Sequence, residues 1–366
     1  MILPLMAATL LQSPPQLDRA TIEPVVRQTL ESRRIPGAVV AIALADSVVL
    51  LEAFGVRDVE SGAPMRAHDR FLIGSLTKLF TATLLAQLAA SGSLALDEPL
   101  ANHLDPAYAH PEWARRVTLR QLATHTAGLP RNPVNRRDLP DSPGVMLPFS
   151  RAELYEGLMR TTIEGEPGSR RAYSNLGFAI LGEVVARGAG ARYDVVLRDS
   201  LLVPLGLENT AIADAQADES RFPSGYWPDD ERAIARPRWV FGEVTAFGGL
   251  YSTARDLARF LVAQTAGGPD APLSAATRAV LHTPAPDVAD APGPGMTLGW
   301  FVYSLPGGVT LVGGGGEVDS FSSAMGFLAG PRVAIVVLTN RGGSSGEQVI
   351  RGVIQAVLPA LTSGAR

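Results

Sequence analysis

Residues 71–78 read Phe71-Leu72-Ile73-Gly74-Ser75-Leu76-Thr77-Lys78 and open an apolar segment that continues to Leu88. Lys78 is the sole lysine of the 366-residue chain; the other members of the 32 basic residues are arginines. A guanidinium keeps its proton in a protein, whereas burial and neighbouring charge can neutralise an amine near pH 7, so that it can take a proton from a hydroxyl. The spacing places Ser75 and Lys78 on one face of a helix, with Ser75 at the first turn. There, backbone N–H groups and the positive helix end favour a negative oxygen. Ser-x-x-Lys alone is weak evidence: with 23 serines, one precedes the sole lysine by three positions by chance about one time in sixteen. The rest of the chain decides its meaning.

A composition of 46% hydrophobic and 19% charged residues is that of a globular protein able to bury a sizeable core. The net charge is −4, and basic residues form no run longer than a pair such as Arg33-Arg34 or Arg136-Arg137, which argues against a nucleic-acid partner. The absence of cysteine removes disulfides and thiolate metal sites. His68, His103, His110, His125 and His282 are scattered, with no His-Glu-x-x-His pair, so no metal is expected. Residues 2–11 have the length of a signal-peptide core but no basic residue before them and no clear Ala-x-Ala site, so residues 1–18 read as a degenerate leader or an apolar terminus. A periplasmic or secreted location is favoured over a cytoplasmic one on that basis. No run of 18 apolar residues supports a membrane span.

Hydrophobic periodicity predicts a helix over 20–34, then strands over Ala38–Ala45 and Val48–Phe54 around an Asp46-Ser47 turn, and a short extended run over Arg70–Gly74. Residues 96–245 alternate helical patches (Leu119–Thr124, Arg151–Met159, Gly177–Arg187) with Pro- and Gly-rich loops. From residue 297 the pattern turns to β: strands over Thr297–Ser304, Val309–Val312, Ser320–Leu328 and Val333–Thr339, separated by Gly-rich turns. A final amphipathic helix over Gly346–Leu361 is expected to cover one face of this meander. The reading is an α+β fold: an α/β lobe from 19–95 and 246–366, with a mainly helical lobe, 96–245, inserted between strands of one antiparallel sheet.

Two further clusters carry candidate chemistry. Tyr173-Ser174-Asn175 follows a Pro167-Gly168 turn; it reads either as an aromatic at a loop–helix junction with Asn175 as cap, or as a tyrosine oxygen placed to relay the serine proton. Gly313-Gly314-Gly315-Gly316-Glu317 reads either as a flexible turn between strands or as a place where another backbone comes close. Thr253-Ala254-Arg255-Asp256 fits a capping box. Gly342-Gly343-Ser344-Ser345-Gly346 matches a nucleophile elbow, but no histidine follows it to complete an α/β-hydrolase triad, so that match is accidental.

In chain order, the segment ending in Lys78, then Leu122-Ala123-Thr124-His125-Thr126-Ala127-Gly128-Leu129-Pro130, Tyr173-Ser174-Asn175 and Gly248-Gly249-Leu250-Tyr251-Ser252-Thr253-Ala254-Arg255-Asp256-Leu257 resemble the serine β-lactamase and penicillin-binding-protein superfamily. The resemblance is nearest to class C β-lactamases and their esterase and D-amino-acid-peptidase relatives, and runs from about Pro36 to Asn340. It implies that the antiparallel sheet and helical lobe enclose a cofactor-free active site between them. It further implies Ser75 as acylated nucleophile, Lys78 as general base or relay, Tyr173 as second proton-transfer group and Asn175 as a substrate contact. Backbone N–H groups of Ser75 and Glu317, the latter reached through Gly315 and Gly316, would form the oxyanion hole. His125 would play a supporting role. Relatives carry Lys-Thr-Gly or His-x-Gly where this chain has Gly314-Gly315-Gly316, so the side chain that helps hold a lactam carboxylate is missing; Arg341 is a candidate replacement. The expected function is a serine hydrolase acting on small-molecule esters or amides, foremost a carboxylesterase. A D-amino-acid peptidase or weak class C-type β-lactamase, and a non-catalytic penicillin-binding-like sensor, are the alternatives.

Overall fold

A seven-stranded antiparallel sheet draws its strands from both ends of the chain. The computed structural model describes residues 17–133, 149–227, 233–268, 270–288, 293–330 and 332–362; of the candidate leader, 1–18, residues 1–16 lie outside them, while Leu17 is buried and Asp18 caps the first helix. In chain order the strands are β1 (Gly37–Leu44), β2 (Ser47–Gly55), β3 (Phe71–Leu72), β4 (Ala211–Ile212), β5 (Gly225–Tyr226), β6 (Ala235–Arg236), β7 (Leu250–Ser252), β8 (Gly295–Met296), β9 (Phe301–Ser304), β10 (Thr310–Val318), β11 (Phe321–Ala329) and β12 (Val333–Thr339). The helices are α1 (Arg19–Ser32), α2 (Thr77–Ala90), α3 (Leu119–Ala123), α4 (Arg151–Met159), α5 (Asn175–Ala189), α6 (Tyr193–Leu197), α7 (Ala254–Thr265), α8 (Ala275–His282) and α9 (Ser345–Thr362). The sheet order β2-β1-β12-β11-β10-β9-β8 puts the first strand beside the last.

Period-2 alternation assigns the two faces. Ala38, Val40 and Ile42 of β1 and Val333, Ile335 and Val337 of β12 pack with α1 and α9. Their neighbours Val39, Ala41, Ala43, Ala334, Val336 and Leu338 enter the larger core, which also holds α2, α5 and α7. Both faces of these central strands are therefore buried, and the strands read as continuous apolar runs. The final helix covers one face as expected. α2 has no polar side: every residue from Thr77 to Ala86 is buried, as suits a helix enclosed all round.

Several sequence expectations are corrected. Of the predicted strand over 297–304 only Phe301–Ser304, β9, is extended; residues 297–300 form the turn that joins it to β8, and Gly299 there has φ +76°. The first hairpin turns at Ala45-Asp46, one residue early, and Ala45 adopts φ +54°. The four glycines at 313–316 form no turn: they lie inside β10, paired with Ala324–Gly326 and Ser323 of β11. Thr253 caps α7 by accepting from Asp256 N, but the box is not reciprocal. The Asp256 carboxylate instead accepts from Asn209 N and Thr210 Oγ1, tying α7 to the loop before β4. The Gly342–Gly346 segment leads into α9, and the Ser345 hydroxyl is buried against Thr339.

Candidate active site

Ser75 sits in a 3₁₀ turn, Gly74–Leu76, that runs directly into α2. The turn is pinned on one side by Ile73 N donating to Leu250 O (3.0 Å) and Leu250 N donating to Thr77 Oγ1 (3.2 Å). On the other side it abuts β10 beyond the point where β9 leaves that strand. Two glycines make this approach possible. A Cβ at Gly316 would lie 2.0 Å from Ile73 O, and one at Gly74, whose φ is +49°, would lie 2.6 Å from Glu317 N. Ser323 of β11 braces the junction, its hydroxyl donating to Ile73 O at 2.9 Å. The amide of Glu317 is thus held against the turn that carries Ser75.

Lys78 comes to Ser75 from the next turn of helix. Its Nζ lies 3.0 Å from Ser75 Oγ, 2.9 Å from Asn175 Oδ1 and 2.6 Å from Phe247 O. The last two atoms only accept, so each takes an N–H. The remaining direction, toward Ser75, holds a third N–H when the amine is charged and a lone pair when it is neutral. Burial pushes the Lys78 pKa well below the usual lysine value, and the positive charge of Arg131 adds to the effect. Only 2% of Lys78 is exposed, and aromatic rings of Tyr173, Phe178 and Phe247 surround its nitrogen at 5.0–5.8 Å.

Tyr173 reaches the same serine oxygen from the irregular segment that leads into α5. Its hydroxyl donates to Ser75 Oγ at 2.7 Å. Burial raises its pKa, opposed by the bond to Ser75 and by Arg131, so the phenol is neutral at ordinary pH. Ser174, not Asn175, caps α5: its hydroxyl accepts from Gly177 N and donates to Pro130 O. Asn175 is the first helical residue, and its amide is oriented by two partners, Oδ1 accepting from Lys78 and Nδ2 donating to Asn132 Oδ1 (2.8 Å). His125 has φ +58° and lies beneath Tyr173 with ring centroids 4.4 Å apart. Its Nδ1 accepts from Ser174 N, and burial followed by the charges of Lys78, Arg171 and Arg131 lowers its pKa well below the usual value. A neutral ring that holds the Ser174 amide supports the tyrosine without touching Ser75.

Along β10, Gly314 and Gly316 face α2 and the 3₁₀ turn, while Gly315 faces Glu347 of α9. The nearest neighbours of a Cβ at Gly314 would be the Leu79 and Leu76 side chains, at 3.5 and 3.6 Å. Glu317 is exposed and its carboxylate accepts from Gly343 N and the Ser344 hydroxyl. Arg341 does not replace the missing charge at position 314: it is 9% exposed and its guanidinium donates to Arg34 O, beyond the far end of α1. Pattern reading missed Arg131 and Asn132, which directly follow the Leu129-Pro130 motif, and the carbonyl of Phe247, since a main-chain acceptor leaves no trace in residue type. Among the described residues no cluster of His, Cys, Asp and Glu could hold a metal, and no helix is long and apolar enough to cross a membrane.

A sequence model of the β-lactamase family matches residues 22–358. The chain is 27% identical over 266 residues to Beta-lactamase-like protein 2 of Dictyostelium discoideum, covering 69% of this chain and 46% of that protein. It is 30% identical over 220 residues to Esterase EstB of Burkholderia gladioli, covering 56% of this chain and 54% of the esterase. It therefore spans about half the length of these relatives. Among solved structures, D-amino acid amidase from Ochrobactrum anthropi SV3, complexed with L-phenylalanine amide, aligns with a TM-score of 0.79 at 24% identity, over 95% of this chain and 99% of the amidase. At that identity the likeness shows the fold, an antiparallel sheet with flanking helices. With the match running through nearly the whole sequence, the chain belongs to the β-lactamase family.

Proposed function

We propose that the protein is a carboxylesterase that cleaves small esters through an acyl-enzyme at Ser75. One observation carries the reading: Ser75 Oγ is met at once by the Lys78 amine at 3.0 Å and the Tyr173 hydroxyl at 2.7 Å, both in surroundings that favour the neutral form. In this reading Lys78 takes the proton as Ser75 Oγ bonds to the acyl carbon, and the negative oxygen rests on the N–H groups of Ser75 and Glu317. Tyr173 passes a proton to the departing alkoxide as the ester C–O bond breaks. Water then attacks the acyl carbon by the reverse relay, releasing acid and free serine. Asn175 holds the amine and presents its amide to the substrate, with Gly315 and Gly316 alongside. The cleft would lie between the α/β lobe (19–95 and 246–366), which supplies Ser75, Lys78 and β10, and the helical lobe (96–245), which supplies Tyr173 and Asn175.

Gly314 favours ester over lactam cleavage, because that position offers an arriving carboxylate neither charge nor side-chain donor. A serine-reactive phosphonate followed by mass spectrometry tests the nucleophile, with an adduct expected on Ser75. Turnover of a short-chain nitrophenyl ester set against a chromogenic cephalosporin tests the substrate class. Fast lactam turnover without ester cleavage would refute the esterase assignment.

A further inference from the structure

We propose that Arg131 selects substrates bearing an anionic group, a carboxylate above all, on the part that passes over Tyr173. The proposal rests on the acyl-enzyme reading at Ser75 and names the substrate class of that site. The Arg131 guanidinium carbon lies 5.1 Å from the centroid of the Tyr173 ring, the ring whose hydroxyl reaches Ser75 Oγ. Stacking on a ring uses the face of a guanidinium and leaves its edge N–H groups free for a carboxylate. The side chain is exposed and makes no ion pair among the described residues, in contrast to Arg57 with Asp69, Arg151 with Asp105 and Arg238 with Glu219.

The position is fixed without help from the guanidinium. The Arg131 carbonyl accepts from Asn175 N at 2.7 Å and Leu176 N at 3.3 Å, which locks it to the start of α5. The side chain of its neighbour Asn132 is bonded to Asn175. The carboxylates on and next to β10 are engaged elsewhere: Glu317 accepts from Gly343 N and the Ser344 hydroxyl, and Asp319 accepts from Trp239 Nε1 at 3.0 Å. Gly314 faces apolar side chains and carries no charge, and Arg341 is bound at Arg34 O. Besides Lys78, which is buried and committed to three oxygens, Arg131 is the one cation contacting Tyr173 among the described residues. A preformed guanidinium beside a candidate nucleophile, with no ion pair among the described residues, is suited to receive an anion that arrives with the substrate.

The test compares two matched ester pairs in the full chain. In the first, 4-nitrophenyl hemisuccinate is set against 4-nitrophenyl butyrate; in the second, 4-carboxyphenyl butyrate against phenyl butyrate. For one pair the ratio of kcat/KM, anionic over neutral, is expected to exceed ~10 in the unmodified protein, to fall at least tenfold in Arg131→Gln and further in Arg131→Glu. The pair that responds places the anion on the acyl or the leaving side. A role confined to the field at Lys78 would change both members of a pair together. Ratios that stay within twofold in both pairs, with Ser75 still labelled by phosphonate, would overturn the Arg131 proposal alone. No label on Ser75 and no ester turnover would overturn the acyl-enzyme reading and this proposal with it.

Discussion

Gly316→Ala isolates the role of backbone approach at the site. The added Cβ would lie 2.0 Å from Ile73 O, 2.7 Å from Ser323 Oγ and 2.9 Å from Leu76 N. A carbon and a carbonyl oxygen tolerate no less than ~3.3 Å, so β10 and the 3₁₀ turn must part by roughly 1.3 Å. The nearest obstacle and the third are main chain, and the second is a hydroxyl already bonded to Ile73 O, so no side-chain rotation relieves the clash. The Glu317 amide moves with the strand. Losing one oxyanion donor costs ~100- to 1000-fold in kcat, and a misplacement of about 1 Å costs ~100-fold, so a fall of at least ~100-fold is expected. Gly315→Ala is the contrast on the same strand. Its Cβ meets only the tip of the Glu347 side chain, at 2.4 Å, which can swing aside, and its loss should be at least tenfold smaller. The assay is kcat for a nitrophenyl ester with burst amplitude, run beside thermal melts. Gly316→Ala enzyme that melts like the parent and keeps kcat within ~3-fold would refute the placement of the Glu317 amide.

Lys78→Met should abolish acylation yet raise thermal stability at neutral pH, because a buried amine is replaced by an apolar side chain of similar length. The sign follows from linkage. The folded pKa is lowered, so between it and the ordinary lysine value of 10.5 the unfolded chain holds the extra proton and stability rises with pH. Melts at several pH values should show that rise in the parent and its loss in the variant; identical profiles would contradict a depressed Lys78. Tyr173→Phe should reduce acylation by ~100- to 10,000-fold, the range for one positioned proton-transfer group, while binding of a phosphonate ester before reaction changes little. Stopped-flow kinetics separates the two steps.

Most of the framework was legible because period-2 and helical patterns have few alternatives where burial is heavy. β1, β2, β11, β12 and the start of α1 fall within a residue or two of expectation. The glycine run admits two readings in sequence, a turn or a close backbone approach, because propensity measures what glycine permits; in the structure its use is the absence of a Cβ facing Ile73 O and Glu347. The strand predicted from Thr297 failed at Gly299, whose positive φ bends the chain back on itself. At the candidate site Ser75 and Lys78 declare themselves by spacing on one helix. The Phe247 carbonyl and the exposed face of Arg131 depend on tertiary placement, which no local pattern encodes.

If Arg131 selects the substrate as proposed, base strength and substrate choice are coupled through one charge. Burial is the larger cause of the lowered Lys78 pKa and Arg131 the second, with no side chain at Gly314 to contribute. On the proposed mechanism turnover needs the neutral amine, so the rate is expected to rise with pH through the Lys78 pKa. A carboxylate paired with Arg131 would cancel part of the field that lowers that pKa, moving it back toward 10.5. For an anionic ester the acid limb of kcat, which reports the bound complex, is therefore expected at higher pH than the limb of kcat/KM, which reports the free enzyme. For the neutral ester of the same pair the two limbs should coincide. Removing the charge in Arg131→Gln should raise both limbs and close the gap. Coincident limbs for both esters in the parent protein would mean that the anion is bound too far from Lys78 to be felt, and that Arg131 acts on the amine alone.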